Sequence, residues 1–249
     1  MAKQKGIIPL VGTIGGINFY YLNGQPIARR AGGGFNRKAI KTKASMHRVR
    51  ENASEFGHCS KVNKLFRHAL LPFYAGHRFT FFHSRLMRLF TGLKDLDVTH
   101  ARGKRRVVEG IVTDTGKTLL QNFAYTPDCS VRQVLPFDYR IEGTNHRLTL
   151  SSFAIQDVGF VSGATHIELL YSVLDFNFEA LTYELHLAPK VLLDRNFGGD
   201  TLIFTPDGTA NGLGTLLCVF GVRFYQEVDG ALYVLNAAHS VGISVLKCV

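Results

Sequence analysis

From Arg106 onward the sequence consists largely of short segments of strand character. VVEGIVT, LLQNFAY, VRQVLPFDYRIE, HRLTLSSFAI, THIELLYSVLDF, ALTYELHLA, TLIFT, LLCVFGVRFYQEV, ALYVLN and VGISVLKCV are β-branched or aromatic, with Gly, Pro, Asn or Asp between them. Segments so short and so regularly punctuated pair best with near neighbours. That predicts a predominantly antiparallel β-sandwich over residues 107–249. Asp229-Gly230, between RFYQEV and ALYVL, supplies the positive-φ pair of a tight hairpin turn.

The earlier part has other periods. GINFYYL, Asn23-Gly24 and QPIARR read as a second tight hairpin. Gly32, Gly33 and Gly34 form a joint, and residues 35–44, basic and poor in large apolar side chains, read as an extended arm. From about Ser45 to Leu71, Phe56, Cys59, Val62, Leu65, Phe66, Ala69 and Leu70 recur at helical steps, with Lys61, Lys64 and His68 on the other side and Pro72 as the stop. A second helix is expected from about Gly76 to Phe90. Phe79, Phe82, Leu86, Leu89 and Phe90 would be buried, and Arg78, Arg85 and Arg88 exposed. The expected class is therefore α+β in three parts: a hairpin and basic arm (1–45), a basic helical hairpin (46–106) and the sandwich (107–249).

Charge divides the chain along similar lines. Residues 1–110 hold 21 Lys+Arg against 5 Asp+Glu, and residues 111–249 hold 8 against 14, within an overall +10. Two faces of unlike charge suit two kinds of contact. The candidate binding residues fall in groups: Arg29, Arg30, Arg37, Lys38, Lys41, Lys43, Arg48 and Arg50; Lys61 and Lys64; Arg85 and Arg88; and Arg102, Lys104, Arg105 and Arg106. A phosphate backbone or the acidic half of another subunit would each meet such groups well.

Catalytic signatures are absent. In Gly110-Ile111-Val112-Thr113-Asp114-Thr115-Gly116-Lys117-Thr118, five residues separate the glycines where a phosphate loop has four, so Thr115-Gly116-Lys117 reads as a hairpin turn. No GxSxG, HExxH or GxGxxG occurs. His166 with Glu168, and Glu184 with His186, would each share a strand face; unless the strands bring them together they are ordinary surface pairs. Cys59, Cys129, Cys218 and Cys248 have no CxxC spacing and read as free thiols. Residues 6–28 carry no charge, but their five glycines and two prolines argue for turns and strands rather than a membrane helix. The expected location is cytoplasmic, with no cofactor and no metal.

Three stretches carry a resemblance: GTIGGINFYYLNGQPIARRAGG (Gly12 to Gly33), RVRENASEFG (Arg48 to Gly57) and GVRFYQEVDGALYVL (Gly221 to Leu235). They resemble a group of uncharacterised proteins encoded by Bacteroidota bacteria, nearly end to end. The resemblance implies no activity and no functional residues.

Three functions follow as expectations. The first is a non-enzymatic structural or assembly protein that self-associates through unlike charged faces and its N-terminal arm, as a homo-oligomer. The second is a nucleic-acid-binding protein of weak sequence preference, using the arm and the helical hairpin. The third is a carbohydrate-binding or hydrolytic sandwich, which would require the four His/Glu side chains to converge.

Overall fold

A computed structural model of the chain describes residues 2–3, 10–32 and 37–249. It is an α+β protein whose chain divides into two compact units, Met1–Ala53 and Ser54–Val249. The division falls within a helix. Gly33 and Gly34 of the expected joint lie outside the described residues.

The first unit is a small antiparallel sheet followed by helix. Strands β1 (Ala2–Lys3), β2 (Gly12–Ile14), β3 (Ile17–Leu22) and β4 (Gln25–Arg30) are ordered β1-β4-β3-β2. The β3–β4 turn is the one the sequence predicts: Asn23 and Gly24 take φ of 50° and 76°. The described part of the expected extended arm is helical instead. Its residues form α1 (Arg37–Thr42) and a 3-10 turn (Ala44–Met46), leading into α2 (His47–Ala69). The Arg50 guanidinium donates to the carbonyls of Ile40 (2.7 Å) and Lys43 (3.0 Å), tying this turn together. Among the unit's described residues only Ile27 and Ala39 are buried.

In the second unit α2 continues and is followed by α3 (Leu71–Tyr74), α4 (Phe82–Asp95), α5 (Val107–Ile111), α6 (Asp114–Gln121) and α7 (Val131–Val134). Three segments expected as strands are thus helical. VVEGI forms α5, LLQ closes α6, and VRQV forms α7. A short apolar run carries no period of its own, and local capping decided here. Thr113 Oγ1 accepts from the Gly116 N–H at 3.0 Å, and Asp114 sits in the first turn, where the helix dipole favours an acid. Gly110, expected within a strand, and Gly116, expected in a turn, are both close-packing residues. A Cβ on Gly110 would lie 1.9 Å from the Leu93 carbonyl, and one on Gly116 would lie 1.9 Å from the Gly110 carbonyl. The second long helix also starts later than expected, at Phe82, and runs to Asp95.

The remaining strands are β5 (Tyr139–Glu142), β6 (Arg147–Leu150), β7 (His166–Asn177), β8 (Thr182–Leu187), β9 (Val191–Asp194), β10 (Leu202–Phe204), β11 (Thr215–Val228), β12 (Ala231–Val234) and β13 (Val241–Cys248). The long pair β7 and β11 is the spine, in register from Thr215 opposite Phe176 to Tyr225 opposite His166. β8 and β9 pair with the outer side of β7, and β13 and β12 with the outer side of β11. Alternate residues of the spine face two different cores. Leu170, Leu174, Phe176, Leu217 and Val219 meet Phe66, Phe73, Phe90 and Leu93 of the helical layer. Ile167, Leu169, Tyr171, Phe220, Val222 and Phe224 meet Leu148, Leu150, Leu202 and Phe204 of the separate β10-β6-β5 sheet. Gly221 has no side chain because Phe73 fills that space: a Cβ there would come within 2.5 Å of the Phe73 ring. Spine strands sandwiched between two layers are apolar on both faces, which is why their sequences run nearly unbroken in hydrophobic residues.

Candidate functional site

The basic residues divide into those facing solvent and those consumed by the fold. In the first unit Arg29 and Arg30 lie exposed on β4, the Arg29 guanidinium 5.5 Å from the Tyr20 ring. Arg37, Lys38 and Lys41 on α1, and Lys43 just beyond it, are exposed. Arg48 pairs with Glu51 at 3.0 Å, and Arg50 is spent on the carbonyls described above. In the second unit Lys61 and Lys64 on α2 and Arg88 on α4 are exposed, as are Arg102, Lys104 and Arg106 in the loop after α4.

Arg85 and Arg105 turn inward. Arg85 donates to the Ala124 carbonyl and lies 5.8 Å from the Phe123 ring. Arg105 grips Glu55 through two bonds of 2.8 Å and reaches Asp95 at 2.9 Å. Lys94 Nζ adds a 2.9 Å bond to the same carboxylate, and the Gly103 N–H a 2.7 Å bond. The Arg105 guanidinium is the largest influence on Glu55 and, with Lys94 and Gly103, holds its carboxyl down at about 2. Burial pushes the Asp97 carboxyl up, yet the Arg106, His100 and Thr99 donors outweigh it and hold it below the usual carboxylate range. This loop is thus a fixed ionic clamp between α2, α4 and α5, with Arg102, Lys104 and Arg106 on its exposed side.

The histidine-bearing strands hold two separate clusters. Glu168 accepts from Lys190 (2.8 Å) and Tyr225 (3.0 Å), with Arg223 at 3.8 Å donating to the Ala75 carbonyl at 2.8 Å. Glu184 takes two 2.8 Å bonds from Asn211, while His186 lies 3.8 Å from Glu184 and 3.7 Å from Asp207. His186 pairs with Val173, seven residues along β7 from His166. At ~3.3 Å per residue that is on the order of 20 Å, and the odd spacing puts the clusters on opposite faces. The four side chains do not converge. Among the described residues no group of His, Cys, Asp and Glu is placed to hold a metal ion. Cys59, Cys129 and Cys218 are buried free thiols, and burial pushes Cys59 and Cys129 up to about 11, which leaves them protonated and unreactive.

Two other features stand out. In the first unit, register places Ile14, Ile17, Phe19, Tyr21, Pro26 and Ala28 on one face of the sheet, with Arg30 at one end of it. Ile14, Ile17 and Tyr21 on that face are 55%, 42% and 49% exposed, so it is an uncovered apolar surface. In the second unit, a cleft of about 170 Å³ opens between residues 77–82, Arg85, residues 125–128 and Ala238. The sequence offered a hint of the cleft in HRFTFF, where basic and aromatic residues run together ahead of a helix. Its other wall, Tyr125 to Asp128, arrives from a distant segment.

Compared with protein-family models, curated proteins and solved structures, the chain matches none. No described helix is long and apolar enough to cross a membrane.

Proposed function

We propose that the protein is a non-enzymatic assembly protein that associates with further copies of itself through its first unit. The observation that carries this reading is the uncovered apolar face of the β1-β4-β3-β2 sheet. A sheet of short strands needs a hydrophobic face covered to be stable by itself. Here that face carries Ile14, Ile17, Phe19 and Tyr21, most of it open to solvent. Charge favours a second copy as the cover. The first unit holds ten Lys+Arg and one acid, while residues 111–249 hold 14 acids against 8 basic residues. Opposite charge steers such faces together, and apolar burial then holds them.

Light scattering on the purified protein at ~50 mM and ~1 M salt tests this. The expected result is a defined multimer that loosens as salt rises through screening. Ile17→Lys combined with Tyr21→Lys, both exposed, is expected to give a folded single chain. A wild-type protein that is a single chain at both salts overturns the reading.

The exposed row Arg37, Lys38, Lys41 and Lys43, among one stretch without an acid, supports nucleic acid as the second reading. It would show as a high 260/280 nm absorbance ratio across the low-salt peak, lost at high salt.

A further inference from the structure

The cleft ahead of α4 has the chemistry of an anion-and-ring site. Four observations meet there. First, α4 begins at Phe82 with no side chain capping it and no acid in its first turn, so its first N–H groups present partial positive charge. Phe81 and Phe82, at that end, both line the cleft. Second, two polar atoms of lining residues are buried without a partner: Nδ1 of His77, a residue more than nine-tenths buried, and Nε of Arg85. Buried polar groups are paired in the great majority of cases, so two unpartnered atoms on residues of one cleft set it apart. Third, Arg78 is exposed at the same cleft, and among the described residues no ion pair claims it. Fourth, the walls are aromatic. Phe79 packs between Tyr74 (5.6 Å) and Phe82 (5.1 Å), while Phe81 stands 68% exposed with no ring stacked on it among the described residues.

We propose that this cleft binds a phosphorylated aromatic heterocycle, that is, a nucleotide, free or at the end of a strand. The phosphate is met by the α4 N-terminus with Arg78 and Arg85, as helix N-termini commonly meet phosphate. The ring stacks on the exposed Phe81, as bases stack on aromatic side chains. Asp128, exposed on the lining, suits the amino group of a base and would repel a bare phosphate. The volume is below the ~300–1,000 Å³ usual for larger ligands, which restricts the site to one ring system. The inference is independent of self-association, because none of these residues lies in the first unit.

Isothermal titration of the full chain with AMP, adenosine, inorganic phosphate and a short deoxyadenosine oligonucleotide, with and without a 5′-phosphate, tests it. AMP is expected to bind, with adenosine and phosphate each at least tenfold weaker. Arg78→Ala and Phe81→Ala, both at exposed positions, are expected to weaken AMP by about tenfold each. Lys247→Ala, an exposed charge not among the lining residues, is expected to leave it unchanged. Tighter binding of the 5′-phosphorylated oligonucleotide than of AMP assigns the site to strand ends, and the reverse assigns it to free nucleotide. No heat with AMP at millimolar concentration, or phosphate binding as well as AMP, overturns the proposal. So does a loss with Lys247→Ala equal to that with Arg78→Ala.

Discussion

Two hairpins in this protein start from nearly the same words. Gly16-Ile17-Asn18-Phe19-Tyr20 leads to Asn23-Gly24, and Gly221-Val222-Arg223-Phe224-Tyr225 leads to Asp229-Gly230. Both turn on a pair of positive φ angles, 50° and 76° in the first, 51° and 78° in the second. Yet Val222 and Phe224 are wholly buried, while Ile17 is 42% exposed and Phe19 only half-buried. The turn is a local matter and comes out alike. Burial is not local: β11 is roofed by the β10-β6-β5 sheet, whose residues arrive from far along the chain, and β3 has no comparable roof within its own unit. Nearly the same local chemistry therefore builds a core in one place and an open apolar surface in the other.

The largest test of that contrast is Phe224→Ala against Phe19→Ala. Emptying the Phe224 site removes a fully buried ring that packs 5.9 Å from Phe160, and is expected to cost ~3–5 kcal/mol in urea unfolding. Phe19→Ala is expected to cost under ~1 kcal/mol in the same measurement and to act on oligomer mass instead. Equal losses in unfolding would break the comparison.

Acid sharpens it next. The buried carboxylate Glu55 is salt-bridged in the second unit, whereas the first unit's Arg48–Glu51 pair has its arginine largely in solvent. Glu55→Gln leaves Lys94 and Arg105 short of a countercharge and is expected to cost on the order of 3 kcal/mol. The sign of the pH dependence follows from the lowered folded-state value. The Glu55 contribution is complete above the ordinary carboxylate value of 4.5 and is lost as pH falls through about 2. Unfolding midpoints measured from pH 5 to 2 are expected to fall steeply in the wild type and to flatten in Glu55→Gln. Parallel curves would remove Glu55 as the cause.

Gly110→Ala tests the layer that covers the other face of the spine. The new methyl has no room beside the Leu93 carbonyl, so α5 must move off α4. The expected cost is about 2 kcal/mol, read as a lower urea midpoint at unchanged slope. A neutral substitution would show that the helical layer can shift freely.

What could be read in advance follows the same line between local and distant. The tight turns, α2 and the long strands β7, β11 and β13 are written in period and turn chemistry. Helices α5, α6 and α7 were not legible as helices, because four to eight residues carry too little period to separate a buried helix from a buried strand. Gly116 even pointed the wrong way, since a glycine that admits a neighbouring carbonyl looks like a glycine that turns the chain. Among the charged residues the same limit applies. Lys61 and Lys64 are exposed as their helical spacing requires, but Arg105 is claimed by Glu55, fifty residues earlier, and Arg85 by a carbonyl 39 residues later. The cleft beside α4 is assembled from three stretches of chain, so only its aromatic and basic wall could be seen.

The smallest effect returns to the turns, where the two hairpins are expected to agree. Gly24 and Gly230 both have positive φ, and a Cβ at either would meet nothing within 4 Å. Alanine there adds only backbone strain, about 1 kcal/mol at each site. Because the strain is local, Gly24→Ala and Gly230→Ala should destabilise their own hairpins to similar degrees in amide hydrogen exchange. The global urea midpoint should move by no more than that, since β12 beyond Gly230 is an exposed edge strand pairing only with the end of β11. A Gly230→Ala loss several times larger than the Gly24→Ala loss would mean that the β11–β12 turn is coupled to the spine. The shared motif would then be alike in shape but not in consequence.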